Sequence, residues 1–421
     1  MSNLLFRHLE GMDFIMKKIN GGVTVAQGFQ AAGVYAGIKK KKKDMALVYS
    51  TAPAVGAGTF TTNVVKAAPV KWDIKLTQES ENIQAVVLNS GVANACTGVE
   101  GDINNEKMAQ AVADAMKLPI EAVYTASTGV IGKQMPIDVI QEGAKLLAAE
   151  LKVGVEAGAL AAEAIMTTDT YSKECAVTFM LDGKEVKLGG MAKGSGMIHP
   201  NMATMLGVIT TDVSITKELL QEALSADVKR SFNMVSVDRD TSTNDSLLVL
   251  ANGLAGNKTI TVKNEDYEIF CQALNLVTTD LSKKMAADGE GATKLFEVQV
   301  YGAGSEEEAV VISKSIITSS LVKTAVFGND ANWGRILCAM GYSGISFDPD
   351  KVDLYIESVD GKLKLVENGM ATDYSEELAT KILSANEVKA IADLKSGNST
   401  AIAWGCDLSY DYVKINADYR S

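Results

Sequence analysis

Histidine is the scarcest informative residue in this chain: only His8 and His199 occur among 421 residues. A catalytic system with an imidazole base has those two to draw on, and a metal site needing three or more histidines is excluded. Cysteine is sparse as well. Cys96, Cys175, Cys271, Cys338 and Cys406 are odd in number, widely spread and without C-x-x-C spacing. Neither a disulfide framework nor a zinc cluster is indicated, and reduced, mostly buried thiols are expected. No run of about 18 apolar residues is present to span a bilayer, and the start of the chain lacks the apolar stretch of a secretory signal, so a cytoplasmic location is expected. Positive charge is in deficit too. A net charge of −12 argues against a general affinity for nucleic acid or anionic membrane. Proline is rare (6) while glycine is plentiful (36), and 47% of the residues are hydrophobic, which describes a folded globular protein with many tight turns.

What is present is an alternation of strands and helices. Ala46–Tyr49, Ala85–Leu88 and Leu247–Leu250 are short apolar runs bounded by polar or glycine turns, as buried strands are. Residues 174–180 and 184–188 read as a hairpin about Asp182-Gly183. Helical spacing appears at Met108, Val112 and Met116, over 138–152 and over 155–165. Asn264 caps an amphipathic helix with Tyr267, Phe270, Leu274, Val277 and Leu281 on one face, and its exit leaves Glu290 between two glycines. Met166-Thr-Thr-Asp-Thr170 reads as a hydroxyl-rich loop, Thr324–Phe327 as a strand before a polar turn and Arg335, and 407–417 as strand material. Five consecutive lysines, Lys39–Lys43, read as a solvated turn between strands, because no aromatic residues interleave with them as a base-stacking surface requires.

The run Met191-Ala-Lys-Gly-Ser-Gly-Met-Ile-His-Pro-Asn-Met-Ala-Thr-Met-Leu206 carries the chemistry. A threonine that becomes an N-terminus has a nucleophilic hydroxyl and its own α-amine as general base. Attack of Thr204 Oγ on the carbonyl of the small residue Ala203 divides the chain into 1–203 and 204–421, with Gly194 and Gly196 supplying backbone freedom nearby. The freed amine, with an ordinary pKa of about 7.7–8.0, is a usable base at neutral pH. Ser127-Thr-Gly-Val-Ile-Gly132 follows a short strand, and its two glycines let N–H groups turn toward a common point, as an oxyanion hole requires. His199 reads as a turn residue before Pro200.

This run resembles the self-cleavage signature of the ornithine acetyltransferases, also called glutamate N-acetyltransferases, of arginine biosynthesis. The resemblance extends through Gly28–Gly33, Phe60–Asn63, Lys66–Pro69, Asn89–Asn94, Ser127–Gly132, Asp240–Asp245, Gly328–Arg335 and Asn416–Ser421. It implies ping-pong transfer of acetyl from N2-acetyl-L-ornithine through an acetyl-Thr204 ester to L-glutamate, with acetyl-CoA as a second donor in the bifunctional members and no cofactor otherwise. Thr128 and Gly129 match the family's oxyanion pair, and Thr167, Lys193, Thr204, Glu290, Asn416 and Ser421 match its substrate-binding positions. The resemblance gives Lys193 a substrate carboxylate, Glu290 the ornithine ammonium, and Asn416 and Ser421 the amino-acid head. The final Ser421 departs from the family's usual threonine but keeps the hydroxyl. His199 matches no catalytic position.

The implied fold is α/β: a layered mixed-sheet sandwich with helices outside, DmpA/ornithine-acetyltransferase-like, plus a smaller C-terminal α/β unit. The expected division is an N-terminal extension over 1–20, an α chain over 21–203, the start of a β chain with its threonine nucleophile over 204–294, and a C-terminal domain over 295–421 that supplies substrate-binding residues. Met12 or Met16 is a candidate later start. The implied assembly is an α2β2 heterotetramer, with no nucleic-acid or membrane partner. The competing expectation is a related self-processing N-terminal-nucleophile aminopeptidase, which transfers to water instead of glutamate.

Overall fold

The computed structural model describes residues 16–199 and 205–418. In chain order its first ten strands are β1 (Met16–Ile19), β2 (Phe29–Val34), β3 (Met45–Phe60), β4 (Ile83–Val92), β5 (Val123–Val130), β6 (Lys173–Leu181), β7 (Lys184–Lys193), β8 (Leu206–Thr211), β9 (Val235–Ser236) and β10 (Ser246–Ala251). Among the described residues, all of these except β9 belong to one mixed sheet, ordered β1-β6-β7-β8-β10-β3-β4-β5, with β2 also on β3. The hairpin between β6 and β7 turns at Asp182 (φ 50°) and Gly183 (φ 70°), the two left-handed residues that a type I′ turn between right-twisted strands requires.

Strand β3 serves two layers. Its start, Met45–Tyr49, pairs with β2 and β4; its end, Val55–Phe60, pairs with β10, and the register shifts between Tyr49 and Ala54. Because side chains alternate across a strand, Val48, Val86 and Leu88 from one half meet Val208, Leu248 and Leu250 from the other in a shared inner core. Leu47, Val87 and Val123 point the opposite way, onto α2 (Gly98–Met116) and α3 (Ile137–Glu150), while α1 (Ala68–Glu79) precedes them and α4 (Val155–Ala164) follows. Val177, Ile209 and Val249 point onto α5 (Lys217–Asp227) and α6 (Glu265–Ala287). The result is two β layers face to face with helices outside each.

Helix α6 forms where the sequence pattern puts it. Asn264 accepts a hydrogen bond from the Tyr267 N–H, Glu265, Asp266 and Glu268 occupy the positive N-terminal turn, and Phe270, Leu274, Val277 and Leu281 are fully buried. Each such side chain contributes roughly 1.5–3 kcal/mol through burial.

A second sheet takes β9 together with β11 (Leu295–Ala303), β12 (Asp353–Ser358), β13 (Gly361–Glu367), β14 (Met370–Ala371), β15 (Glu387–Asp393) and β16 (Ser399–Cys406), in the order β14-β13-β12-β15-β11-β16-β9. Helices α7 (Glu306–Thr318), α8 (Ser320–Phe327), α9 (Trp333–Gly341) and α10 (Glu376–Leu383) accompany it, and α11 (Tyr410–Asp418) follows β16. Val235 of β9 lies beside Trp404 of β16, so the second sheet recruits a strand from well before residue 295.

The structure corrects several expectations. Residues 16–19 are not leader but an edge strand on β6, with Lys18 Nζ 2.6 Å from Asp280. Thr324–Phe327 is helical within α8: Ser319 caps it, and Val322 and Val326, one turn apart, bury into the second core. A short apolar run of that length cannot by itself distinguish strand from helix. Residues 410–418 form α11, of which no residue is buried, so the apolar stripe by which a helix is recognised is missing. Ser127–Val130 continues β5 rather than leaving it as a loop. Cys96 and Cys338 are exposed, Cys175 and Cys406 are buried, and all five thiols are free. No single helix among the described residues is long and apolar enough to cross a membrane.

Candidate active site

Strand register brings the functional segments to one end of the sandwich. Lys193, the last residue of β7, lies opposite Leu206, the first of β8; Leu206 lies beside Ser246, the first of β10. The Ser246 N–H donates to the Met205 carbonyl at 2.9 Å, fixing where the chain re-enters the sheet. Ala203, Thr204 and Ser421 lie outside the described residues.

Lys193 is the hub. Its ammonium donates to Thr167 Oγ1 at 2.8 Å and Thr128 Oγ1 at 3.4 Å, and it stands 4.0 Å from Asp169. With only 7% of its surface exposed, burial depresses its pKa, partly offset by the charges of Asp169, Asp245 and Glu290. Asp169 is itself held in place by Lys173 Nζ at 2.7 Å, the Gly194 N–H at 2.8 Å and the Thr167 N–H at 3.0 Å. Burial alone would raise the Asp169 pKa, but the Lys193 and Lys173 charges outweigh it and hold the carboxylate well below its usual range. Lys173 also reaches Asp288 at 2.5 Å, and Asp288 accepts from the Thr170 N–H at 3.0 Å and from the Thr170 hydroxyl. The loop 166–170 is therefore clamped from both sides by fully paired buried charges, the condition under which such groups are tolerated.

Thr128 and Gly129 sit near the end of β5. Gly129 has φ 131°, and a Cβ there would fall 2.3 Å from the Gly91 carbonyl carbon, so both conformation and space demand glycine. Thr128 Oγ1 accepts from Lys193, which leaves its hydroxyl hydrogen free to donate elsewhere. The segment is tied down by Asn244, whose Nδ2 donates to the carbonyls of Ala93 (2.5 Å) and Ser127 (2.8 Å), and by the Ser127 hydroxyl donating to Asn89 Oδ1 at 2.6 Å.

A second cluster forms around Glu290. Its N–H donates to the Ser195 carbonyl at 2.9 Å, and its Oε2 accepts from Asn416 Nδ2 of α11 at 2.8 Å. A Cβ on Gly196 would meet the Glu290 carboxylate at 2.3 Å. Gly196, expected to supply backbone freedom, does not adopt a left-handed φ; what it provides is room. Thus Lys193 touches both Thr128 and Thr167, Glu290 and Asn416 touch one another, and the two groups are joined through the Lys193-Gly-Ser-Gly196 backbone.

His199 lies beyond that backbone. Its Nδ1 is 3.0 Å from Ser236 Oγ and its carbonyl accepts from Thr241 Oγ1 at 2.9 Å, while Asp238 accepts the Met197 and Ile198 N–H groups at 2.6 and 2.8 Å. Burial, with Lys314 and Arg239 nearby, pushes the imidazole pKa down to about 4. Sequence reasoning missed Asp169, Lys173 and Asp288, and assigned no role to Asn244. Only the acid within a hydroxyl-rich loop signals Asp169; Lys173 and Asp288 are 115 residues apart and carry no local signal. Among the described residues no group of three or more His, Cys, Asp or Glu is arranged to hold a metal ion.

The ArgJ family model matches residues 30–421 of the chain. The chain is similar to the arginine biosynthesis bifunctional protein ArgJ 1 of Clostridium acetobutylicum, 52% identical over 411 residues, covering 97% of this chain and 100% of that one. It is also similar to the arginine biosynthesis bifunctional protein ArgJ of Caldanaerobacter subterraneus subsp. tengcongensis, 49% identical over 406 residues, with 96% and 100% covered. Among solved structures, that of an arginine biosynthesis bifunctional protein argJ from Bacillus halodurans is 49% identical, covers 50% of this chain and 97% of its own, and has a TM-score of 0.48.

Proposed function

The chain belongs to the ArgJ family, and from that premise we propose that it is a self-cleaving acetyltransferase of arginine biosynthesis that moves acetyl from N2-acetyl-L-ornithine to L-glutamate. Cleavage begins when Thr204 Oγ adds to the Ala203 carbonyl. The C–N bond breaks, the nitrogen takes the hydroxyl proton, and water hydrolyses the resulting ester, leaving an Ala203 carboxylate and a free Thr204 amine and hydroxyl. In transfer, that amine takes the Oγ proton as Oγ attacks the acetyl carbonyl, then returns it to the departing ornithine amine. The glutamate amine attacks the acetyl ester and releases N-acetylglutamate, restoring the hydroxyl.

The remaining residues take roles that suit their chemistry. Thr128 and Gly129 stabilise the oxyanion, the first with the hydroxyl hydrogen that Lys193 leaves free. Lys193, oriented by Thr167, receives a substrate carboxylate; Glu290, oriented by Asn416, receives the ornithine ammonium; Asn416 and Ser421 bind the amino-acid head. The observation that carries the reading is the buried ammonium of Lys193, bonded to Thr167 and Thr128 where the chain re-enters the sheet at Met205. The two fragments of one chain stay paired because β7 pairs with β8 and β3 with β10 across the cut; an α2β2 assembly in the cytoplasm is proposed on the family resemblance alone.

Mass spectrometry of the denatured protein tests this first. Two fragments, 1–203 and 204–421, are expected, and Thr204→Ala should give one chain without acetyl transfer; a single wild-type chain, or full transfer by Thr204→Ala, refutes the mechanism. An assay with acetyl-CoA and glutamate alone decides whether acetyl-CoA is a second donor.

A further inference from the structure

The lysine turn contributes to the site. Its five lysines do not behave alike: Lys40, Lys41 and Lys42 are exposed, whereas Lys39 turns inward. The turn is built around the fully buried Asp44, whose carboxylate accepts the N–H groups of Ala36 (2.7 Å), Gly37 (3.1 Å) and Lys39 (2.9 Å), and whose carbonyl accepts the Ser90 N–H at 2.8 Å. The Lys39 stem passes over Gly91, where a Cβ would lie 3.3 Å from Lys39 Cγ; Gly91 is the residue that underlies Gly129. The Lys39 ammonium then donates to the Met166 carbonyl at 2.6 Å and the Lys43 carbonyl at 3.0 Å. Burial brings its pKa down to about 8, while Asp44 and Asp169 act to raise it and Lys42 and Lys193 to lower it.

Met166 immediately precedes Thr167, the acceptor that orients Lys193. From this chain of contacts we propose that Lys39 is a positioning residue for substrate binding, holding the 166–167 backbone so that Thr167 aims Lys193 at the carboxylate common to both amino-acid substrates. The proposal rests on the reading of Lys193 given above. Lys39 touches no substrate; it acts through Thr167. Hydrogen bonds to charged groups are typically worth enough to change affinity about tenfold or more.

Steady-state kinetics of the self-cleaved enzyme test it. Lys39→Met should raise KM for N2-acetylornithine and for glutamate about tenfold while kcat changes by less than about threefold. Lys39→Arg, which keeps a charged donor, should recover most of that loss. Thr167→Val should raise KM similarly, and the double variant should be no worse than the worse single variant, because both remove one coupled arrangement. Should Lys39→Met not fold, Lys39→Gln, which can reach one carbonyl only, should give an intermediate KM. Unchanged KM in Lys39→Met alongside raised KM in Lys193→Met, or multiplied effects in the double variant, overturns the role of Lys39 alone. Unchanged KM in Lys193→Met overturns the reading of the site, and the proposal with it.

Discussion

At the scale of single residues, two basic side chains whose pKa values are both depressed by burial have opposite tasks. Lys193 is kept near carboxylate acceptors and polar hydroxyls but is starved of water, so its ammonium is ready to bind a carboxylate without first losing a hydration shell. Lys193→Met should therefore raise KM for both amino-acid substrates at least tenfold, measured by steady-state kinetics. Its depressed pKa also means that the wild-type enzyme loses the ammonium, and with it substrate affinity, at a lower pH than an ordinary lysine would. His199 is instead kept neutral. Its folded pKa of about 4 lies below its ordinary 6.5, so between those values the unfolded chain binds the proton more readily and stability falls as pH falls. His199→Gln should flatten that part of the dependence, read as the difference between variant and wild-type denaturation midpoints across pH 6.5 to 4. Glu174, raised to about 7 by burial, works in the opposite direction and is common to both proteins.

At the scale of elements, the strands and helices with strong periodicity were readable, and those defined by distant partners were not. The cap at Asn264 and the buried face of α6 are local facts, and so is the turn at Asp182-Gly183. Helix α11, with no buried residue, offers no such pattern, and α8 hides within a short apolar run. The same division applies to the candidate site. Lys193, Thr167, Glu290 and Asn416 could be named because whole motifs resemble a known family, yet Asp169, Lys173 and Asp288 depend on a contact between a loop and a helix exit that spacing cannot express. Lys39 was concealed by its neighbours, since five identical side chains give no hint that one of them points inward. Strand β5 offers the sharpest test at this scale. Gly129→Ala adds a Cβ within 2.3 Å of the Gly91 backbone at a φ of 131°, and should lower kcat for transfer by about a hundredfold or more by displacing an oxyanion donor. Turnover assays on soluble Gly129→Ala protein, with circular dichroism to verify its fold, check this; wild-type kcat would remove Gly129 from the proposed oxyanion hole.

At the scale of the molecule, the proposed cleavage between Ala203 and Thr204 is compatible with a stable protein because the sheet pairs strands from either side of it. Strand β7 precedes the cut and β8 follows it, yet they pair over Leu188–Lys193 and Leu206–Thr211; β3 and β10 pair likewise over six positions. The inner core draws on both sides, with Val48 and Leu88 packed among Val208 and Leu250. The fragments should co-elute in native size-exclusion chromatography and separate only in denaturant; separation under native conditions would contradict this account of the fold. In the proposed mechanism Thr204 connects the scales, because it falls in sequence between β7 and β8 and the groups assigned to act with it come from both fragments. The most direct test is to incubate the cleaved protein with N2-acetylornithine in the absence of glutamate and to measure the mass of the 204–421 fragment. The account predicts a gain of one acetyl group located on Thr204, with release of one equivalent of ornithine and loss of the adduct when glutamate is added. An unmodified fragment that still supports transfer, or an acetyl group on any other residue, would contradict it.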